Sequence, residues 1–380
     1  MVRFCFWNLI SYAMNYELRL TAALGASLVL LFYAGLSVVR IDHLELVSAN
    51  QWLLQAGLTW GWVCWQLWQR RDLNRPHSQA PLYPNLGLAN RLTLLRGGLI
   101  ALAAGFLWQS SLEGVFLWLP GLLYGLSAVL DRVDGFVARK SRRTSLLGSQ
   151  LDMAFDALGL LVAPLLAVGL GKLHWSYLLL SVAFYIFQIA FWLRVRRGFP
   201  VYPMLPSMLR RALAGFQMGV VALVLLPVFE AQVTRTLGLA FMLPVLIGFG
   251  VDWLVVTGRI RGTSLFTRFR FFSETFLQPA LRLLMVVALV AVCNQIESAL
   301  TSGIFLFGLS LGAVLVVTGL GGRLGALLIL LLLAAQYPNT SLTLTAYLLL
   351  FSGTGVLLLG TGRFSPWQGD AAWINRHDGA

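Results

Sequence analysis

Charge is scarce in this chain of 380 residues. Only 11% of its positions are charged, against about 25% in a soluble globular protein. With 58% of residues hydrophobic and a mean hydropathy of +0.78, a water-soluble fold is excluded. Cysteine is nearly missing. Cys5, Cys64 and Cys293 lie far apart, in or beside apolar segments, so they offer neither a disulfide framework nor a thiolate metal site. They read as small buried hydrophobes. The opening residues lack a short apolar core followed by a small-residue cleavage site, and no removable signal is expected from them. Alternating strands of the kind that build an outer-membrane barrel are missing too, because the apolar runs are continuous. No repeat of fixed period is apparent.

What remains is a polytopic all-α membrane bundle. A hydrocarbon core takes about 20 apolar residues in a helix, and the backbone there must satisfy its own hydrogen bonds. Twelve helices are expected, near 20–39, 47–68, 91–110, 114–138, 149–171, 175–194, 207–229, 236–257, 277–294, 298–319, 323–336 and 342–361. With both termini inside, the outer connections hold only Arg40, Lys172 and Arg235 of the 28 Lys and Arg residues. That asymmetry is the one the positive-inside rule describes. Topology and anionic headgroups therefore account for the net charge of +13. No nucleic acid partner is expected, since no groove-reading motif is present. Trp60, Trp62, Trp65 and Trp68 read as packing and interfacial anchors.

Two inner loops divide the chain. The polar stretch 69–87, with Pro76, Pro81 and Pro84, sets off a two-helix segment, 1–80. The basic, aromatic stretch 258–279 sets off four last helices, 273–380, and could lie along the membrane surface. Six helices in 81–272 form the middle.

Four carboxylates stand out against this background, in "LDRVDGFVARKSRRTSLLGSQLDMAFDALG". Asp131 and Asp134 are three apart, Asp152 and Asp156 four apart, so each pair shares one helix face. The first pair ends the fourth expected helix and the second opens the fifth. The basic loop between them turns the chain back, and the four acids converge at the inner edge of the bilayer. An acid at mid-membrane costs ~2.5–3.5 kcal/mol on insertion scales, so four together imply a function. Carboxylates without His or Cys suit a hard divalent cation, Mg²⁺ or Mn²⁺, and Ca²⁺ less specifically. Four can hold two ions ~4 Å apart, the clamp used in phosphoryl displacement. Gly135, Ala138 and Gly148 leave room for close approach, and Arg139 can grip a phosphate through two parallel hydrogen bonds. Together these describe a pyrophosphate site.

The same stretch resembles the signature of the CDP-alcohol phosphatidyltransferase family. All eight of its fixed positions are here: Asp131, Asp134, Gly135, Ala138, Arg139, Gly148, Asp152 and Asp156. "LANRLTLLRGG" is similar to the family's first helix, with Asn90, Thr93 and Arg96 in place. The resemblance spans about 81–272 and implies that a CDP-linked donor, usually CDP-diacylglycerol, loses CMP as an alcohol attacks its β-phosphorus. It implies that Asp131, Asp134 and Asp152 ligate the metals, and that Asp156 accepts the alcohol's proton while touching one of them. By the same resemblance Gly135, Ala138 and Gly148 make room for the cytidine diphosphate and Arg139 steadies a phosphate. Asn90 and Thr93 brace the mouth of the site. A homodimer is also implied.

The acceptor is less defined. "SMLRRALAGFQ" keeps Ser207, Arg211 and Gln217 of the motif that family members acting on polyol phosphates often carry, but has Leu213 and Ala214 where a basic residue and a threonine are usual. Arg194, Arg197 and Arg211 are the candidates to receive an anionic acceptor. The last four helices, through "LGGRLGALLILLLLA" and "GTGRFSPW", resemble DoxX-type membrane proteins, with no Cys pair or His cluster to support redox chemistry. A transporter is the competing class, because intramembrane acids also mark cation or proton paths. Against it, the acids gather at one membrane face. A catalytically dead scaffold is disfavoured by the intact signature.

Overall fold

The computed structural model describes residues 17–34, 46–109, 112–203, 208–260, 268–269, 271–295, 303–336 and 342–367. Within them the chain is all-helical, with twelve α-helices. These are α1 Glu17–Ala34, α2 Leu46–Arg70, α3 Gly87–Ala104, α4 Leu119–Lys140, α5 Leu146–Gly169, α6 Leu178–Arg196, α7 Met208–Leu225, α8 Ala231–Val256, α9 Gln278–Gln295, α10 Gly303–Thr318, α11 Gly322–Gln336 and α12 Leu344–Leu359. Six helical segments are long and apolar enough to cross a bilayer: Glu17–Ala34, Gly114–Lys140, Leu146–Gly169, Trp175–Arg196, Ala231–Val256 and Ser273–Gln295. Four more are apolar but shorter. At 1.5 Å per residue, the 16 residues of α10 or α12 reach about 24 Å, a little under the thickness of a bilayer's hydrocarbon. This is a multi-pass membrane protein. The expected surface-lying stretch 258–279 falls partly outside the described residues. Its end, Ser273–Leu277, is a π-helical turn leading into α9.

The chain forms two compact units. One gathers α1 to α5 together with Val221–Leu226, and the other holds Gly171–Val220 and, from Pro227, the rest of the described residues. In the first unit α3 is the hub, packed against α2, α4 and α5. Its composition explains the position. "GLANRLTLLRGGLIALAA" leaves only a narrow outer face exposed, with Leu88, Arg91 and Leu95 on it, and buries Asn90, Thr93, Arg96 and most of its apolar and small residues. Its small residues let neighbours come close. A Cβ on Gly97 would stand 3.1 Å from both the Phe155 ring of α5 and Val63 of α2. Trp52 of α2 is fully buried, stacked on Phe32 of α1 at 5.0 Å and edge-on to Phe106 at 6.0 Å. Of the other tryptophans in α2, Trp60 is buried and donates to the Ala22 carbonyl of α1, whereas Trp65 and Trp68 are exposed. Glu17 ties α1 to α3. Its carboxylate takes Arg91 Nη2 at 2.5 Å and the Leu86 amide at 2.9 Å.

The polar segment 71–86 is knitted to the turn between α4 and α5. Arg75 offers its carbonyl to the Leu146 amide at 2.9 Å. Arg143 donates to the Asn85 carbonyl at 2.8 Å and covers the Tyr83 ring at 4.8 Å. The expected boundary near residue 80 therefore lies inside a hydrogen-bonded stretch.

In the second unit, α8 packs on α6 and α12, α9 on α12, and α11 on α10 and α12. Val233, Val292, Leu333, Ala346 and Leu349 line a small apolar cavity of about 20 Å³ among these helices. Arg282, buried at the start of α9, donates to the carbonyls of Val316 and Thr361 at 2.7 and 2.9 Å. It thereby caps the last turn of α10 and the chain just beyond α12 with a positive charge. Cys64 and Cys293 are half-buried free thiols, and Cys5 lies outside the described residues.

Candidate active site

The site is built on the facing ends of α4 and α5 with α3 behind them. Both helix ends are shaped locally. At the close of α4, Arg142 takes a left-handed conformation (φ 52°). The Arg143 amide bonds back to the Ala138 carbonyl and the Arg142 amide to that of Arg139, both at 3.1 Å. This is the terminating pattern in which glycine is usual at the left-handed position. Two residues later Ser145 caps α5, its hydroxyl accepting the Gly148 amide at 2.9 Å. The short turn brings the last two turns of α4 beside the first three of α5.

All four expected acids meet there, around a residue of the third helix. Arg96 Nη1 stands 2.5 Å from Asp131 Oδ1, 2.7 Å from Asp152 Oδ1 and 4.0 Å from Asp134 Oδ2. Its other terminal nitrogen binds Asp156 Oδ1. The guanidinium is completely buried, whereas the Asp152 and Asp156 side chains are 48% and 46% exposed. The cluster thus has a sealed back and an open front. One carboxylate oxygen from each of Asp131, Asp152 and Asp156 lies within 4.8 Å of the other two. Asp134 is set deeper, nearly buried, and accepts Thr93 Oγ1 at 2.7 Å. Hard oxygen donors at this spacing suit a divalent cation, so the residues present fit a metal.

Asn90 and Thr93, expected at the mouth, are both buried and spend their polar groups on the protein. Asn90 Nδ2 donates to Asn74 Oδ1 at 3.2 Å, to the Leu86 carbonyl at 2.9 Å and to Ser145 Oγ at 3.1 Å. It locks the start of α3 to the start of α5. A Cβ on Gly148 would stand 2.6 Å from Asn90 Oδ1, so the space beside that glycine is taken by the asparagine. Gly135 has the guanidinium of Arg139 over it, at 3.2 Å from where a Cβ would be. Ala138 is half-buried and Arg139 exposed, both on α4. The candidate acceptor residues belong to the second unit. Arg194 is turned onto the Pro200 carbonyl at 2.9 Å and the Phe199 ring at 5.6 Å, and Arg197 is exposed just past α6. The side chain of Arg211 lies outside those described.

The centre of the cluster, Arg96, is the residue to which the sequence pattern alone gave no distinct role. Its signal was present: a charge amid the apolar run of α3, which in a membrane helix calls for a partner. Asn74 and Ser145 carried no such signal.

By class this is a polytopic helical membrane protein with a carboxylate cluster that could hold a hard cation, and among the described residues no histidine or cysteine joins the cluster. Comparison gives a family likeness: residues 86–249 match the model of the CDP-alcohol phosphatidyltransferase family. Members of that family transfer a substituted phosphate from a CDP-linked alcohol, a reaction of phospholipid synthesis, and work with divalent metals. The match ends at 249, so nothing supports the likeness of the last four helices to DoxX-type proteins. No curated protein and no solved structure matches the chain.

Proposed function

We propose that this protein transfers a phosphatidyl group from CDP-diacylglycerol, or a related CDP-alcohol, to an alcohol acceptor, releasing CMP with Mg²⁺ or Mn²⁺ at the acidic cluster. The observation that carries this reading is the convergence of Asp131, Asp152 and Asp156 within 4.8 Å, with Asp152 and Asp156 open at the front. Two bound divalent ions would supply countercharge to the pyrophosphate and to the oxygens of the displacement.

The chain's own residues do the rest. Asp131, Asp134 and Asp152 would hold the ions, with Asp156 touching one of them. Asp156 accepts the proton of the acceptor hydroxyl as its oxygen bonds to the β-phosphorus, and the bond from that phosphorus to the bridging oxygen of CMP breaks. The loose transition state of such a transfer gains mainly from positioning and charge. Arg139 steadies a donor phosphate from the exposed side of α4, and Gly135 and Ala138 keep the donor's path uncrowded, whereas Gly148 lets Asn90 close up behind α5. Asn90 and Thr93 act from behind, the first by fixing Ser145 and Gly148, the second by holding Asp134. The excess of basic residues at one set of loops supports a site facing the cytoplasm in the inner membrane. Arg194, Arg197 and Arg211 favour an anionic acceptor such as a polyol phosphate. A homodimer accords with the family.

The test is an incubation of purified protein with CDP-diacylglycerol, Mg²⁺ and a panel of alcohols, with CMP release and the lipid product followed by mass spectrometry. Release is expected only with the metal. Asp156→Asn should lower it by about a hundredfold or more, the size of a lost general base, with the melting temperature kept within a few degrees. Absence of CMP for every acceptor, together with cation flux in vesicles, would replace the transferase by a transporter.

A further inference from the structure

The oxygens best placed for a metal are already engaged. Asp131 Oδ1, Asp152 Oδ1 and Asp156 Oδ1 all contact the Arg96 guanidinium, and the close-set trio of carboxylates is formed by these same three residues. Arg96 is fully buried, and its Nε has no hydrogen-bond partner among the described residues. Its head is therefore held by acids alone. Four carboxylates stand against one guanidinium, so the cluster keeps a formal excess of three negative charges. A divalent cation approaching it meets both attractive oxygens and a positive group that occupies them.

We propose that Arg96 is a resident counter-cation, which holds the facing ends of α4 and α5 together when no divalent metal is bound and yields the Asp131, Asp152 and Asp156 oxygens when one is. The proposal rests on the reading of the acids as a metal site. Arg96 is on this account a positioning residue, and it gives the cluster a defined shape before metal or substrate arrives. Without it, four carboxylates at the close of one helix and the start of the next repel one another across a short turn. With it, metal affinity is lowered by competition, because one cation must partly displace another from shared oxygens.

The two consequences have opposite signs, which separates this role from a purely structural one. Wild type, Arg96→Gln and Arg96→Lys are purified in detergent and stripped with chelator. Melting temperature without metal and Mn²⁺ affinity, from loss of the free-ion electron paramagnetic resonance signal, are then measured. Arg96→Gln is expected to melt lower without metal yet to bind Mn²⁺ about tenfold more tightly or better, the size of one removed repulsion at a partly screened site. Arg96→Lys keeps a point charge that cannot bridge three carboxylates, and should fall between the two in both measurements. If the glutamine variant does not fold, the lysine variant decides alone by binding Mn²⁺ more tightly than wild type. Equal or weaker Mn²⁺ binding by the variants, with wild type binding normally, overturns the counter-cation and leaves the transferase reading intact. No Mn²⁺ binding by wild type overturns both.

Discussion

Gly148 shows how tightly the back of the site is drawn. Its Cα faces Asn90 Oδ1 so closely that a methyl group would stand 2.6 Å from that oxygen and 3.2 Å from Ser145 Oγ. Neither neighbour is free to retreat, because Asn90 also serves Asn74 and Leu86, and Ser145 caps α5. Gly148→Ala is therefore expected to destabilise the protein by ~1–3 kcal/mol, the range for forced overpacking, and to reduce CMP release by tilting Asp152 and Asp156 away from α4. Thermal unfolding in detergent and the release assay check the two effects separately. Thr93 matters at the same level. Its hydroxyl is the group that fixes the buried Asp134 carboxylate, and a buried acid without such a donor bears its full desolvation.

Between the helices, the turn from α4 to α5 decides whether the acid pairs face each other. Arg142 sits in the left-handed region at φ 52°, where a side chain is strained and glycine is not. Arg142→Gly should raise the melting temperature, by an amount corresponding to ~0.5–1 kcal/mol, and leave the acid cluster in place. A fall in stability would mean that the arginine side chain contributes more than its backbone strain costs. The pairing of acids at this turn was legible from their i+3 and i+4 spacing, since a helix puts such residues on one face. The helix count was legible as well, because long apolar runs in a chain so poor in charge have few alternatives to a helix. Boundaries were less so. The eighth helix begins at Ala231 rather than near 236, as the polar side chains of Thr234 and Arg235 find carbonyl partners at the distant residues Lys172 and Gly171. Thr234 Oγ1, for instance, donates to the Lys172 carbonyl at 2.7 Å.

At the scale of the whole molecule, the last of the final four helices packs on α8, the last of the six that precede them. Within the second unit, Val233 of α8 shares an apolar cavity with Val292 of α9 and Leu349 of α12, and α8 packs directly on α12. Cutting the chain after residue 272 would uncover that face of α8. The fragment 1–272 is expected to accumulate less in the membrane and to melt several degrees lower than the full chain. A fragment that melts like the full protein and still releases CMP would show the last four helices to be an independent addition.

The membrane class, the number of helices and the meeting of two acid pairs were all written in local pattern. Each depends on residues within one helix or one turn of each other, where periodicity and spacing act directly. The role of Arg96 was not. It contacts Asp152 and Asp156 across 56 and 60 positions, and nothing in the pattern of α3 says which neighbour its charge will meet. The same holds for Asn90, bound to Ser145 across 55 positions, and for segment 71–86, fastened onto the α4–α5 turn. Helical periodicity says which face of a helix is apolar, but not which other helix will lie against it. That choice is made by the close packing that Gly97 and Gly148 permit, and it needs the three-dimensional arrangement of the chain.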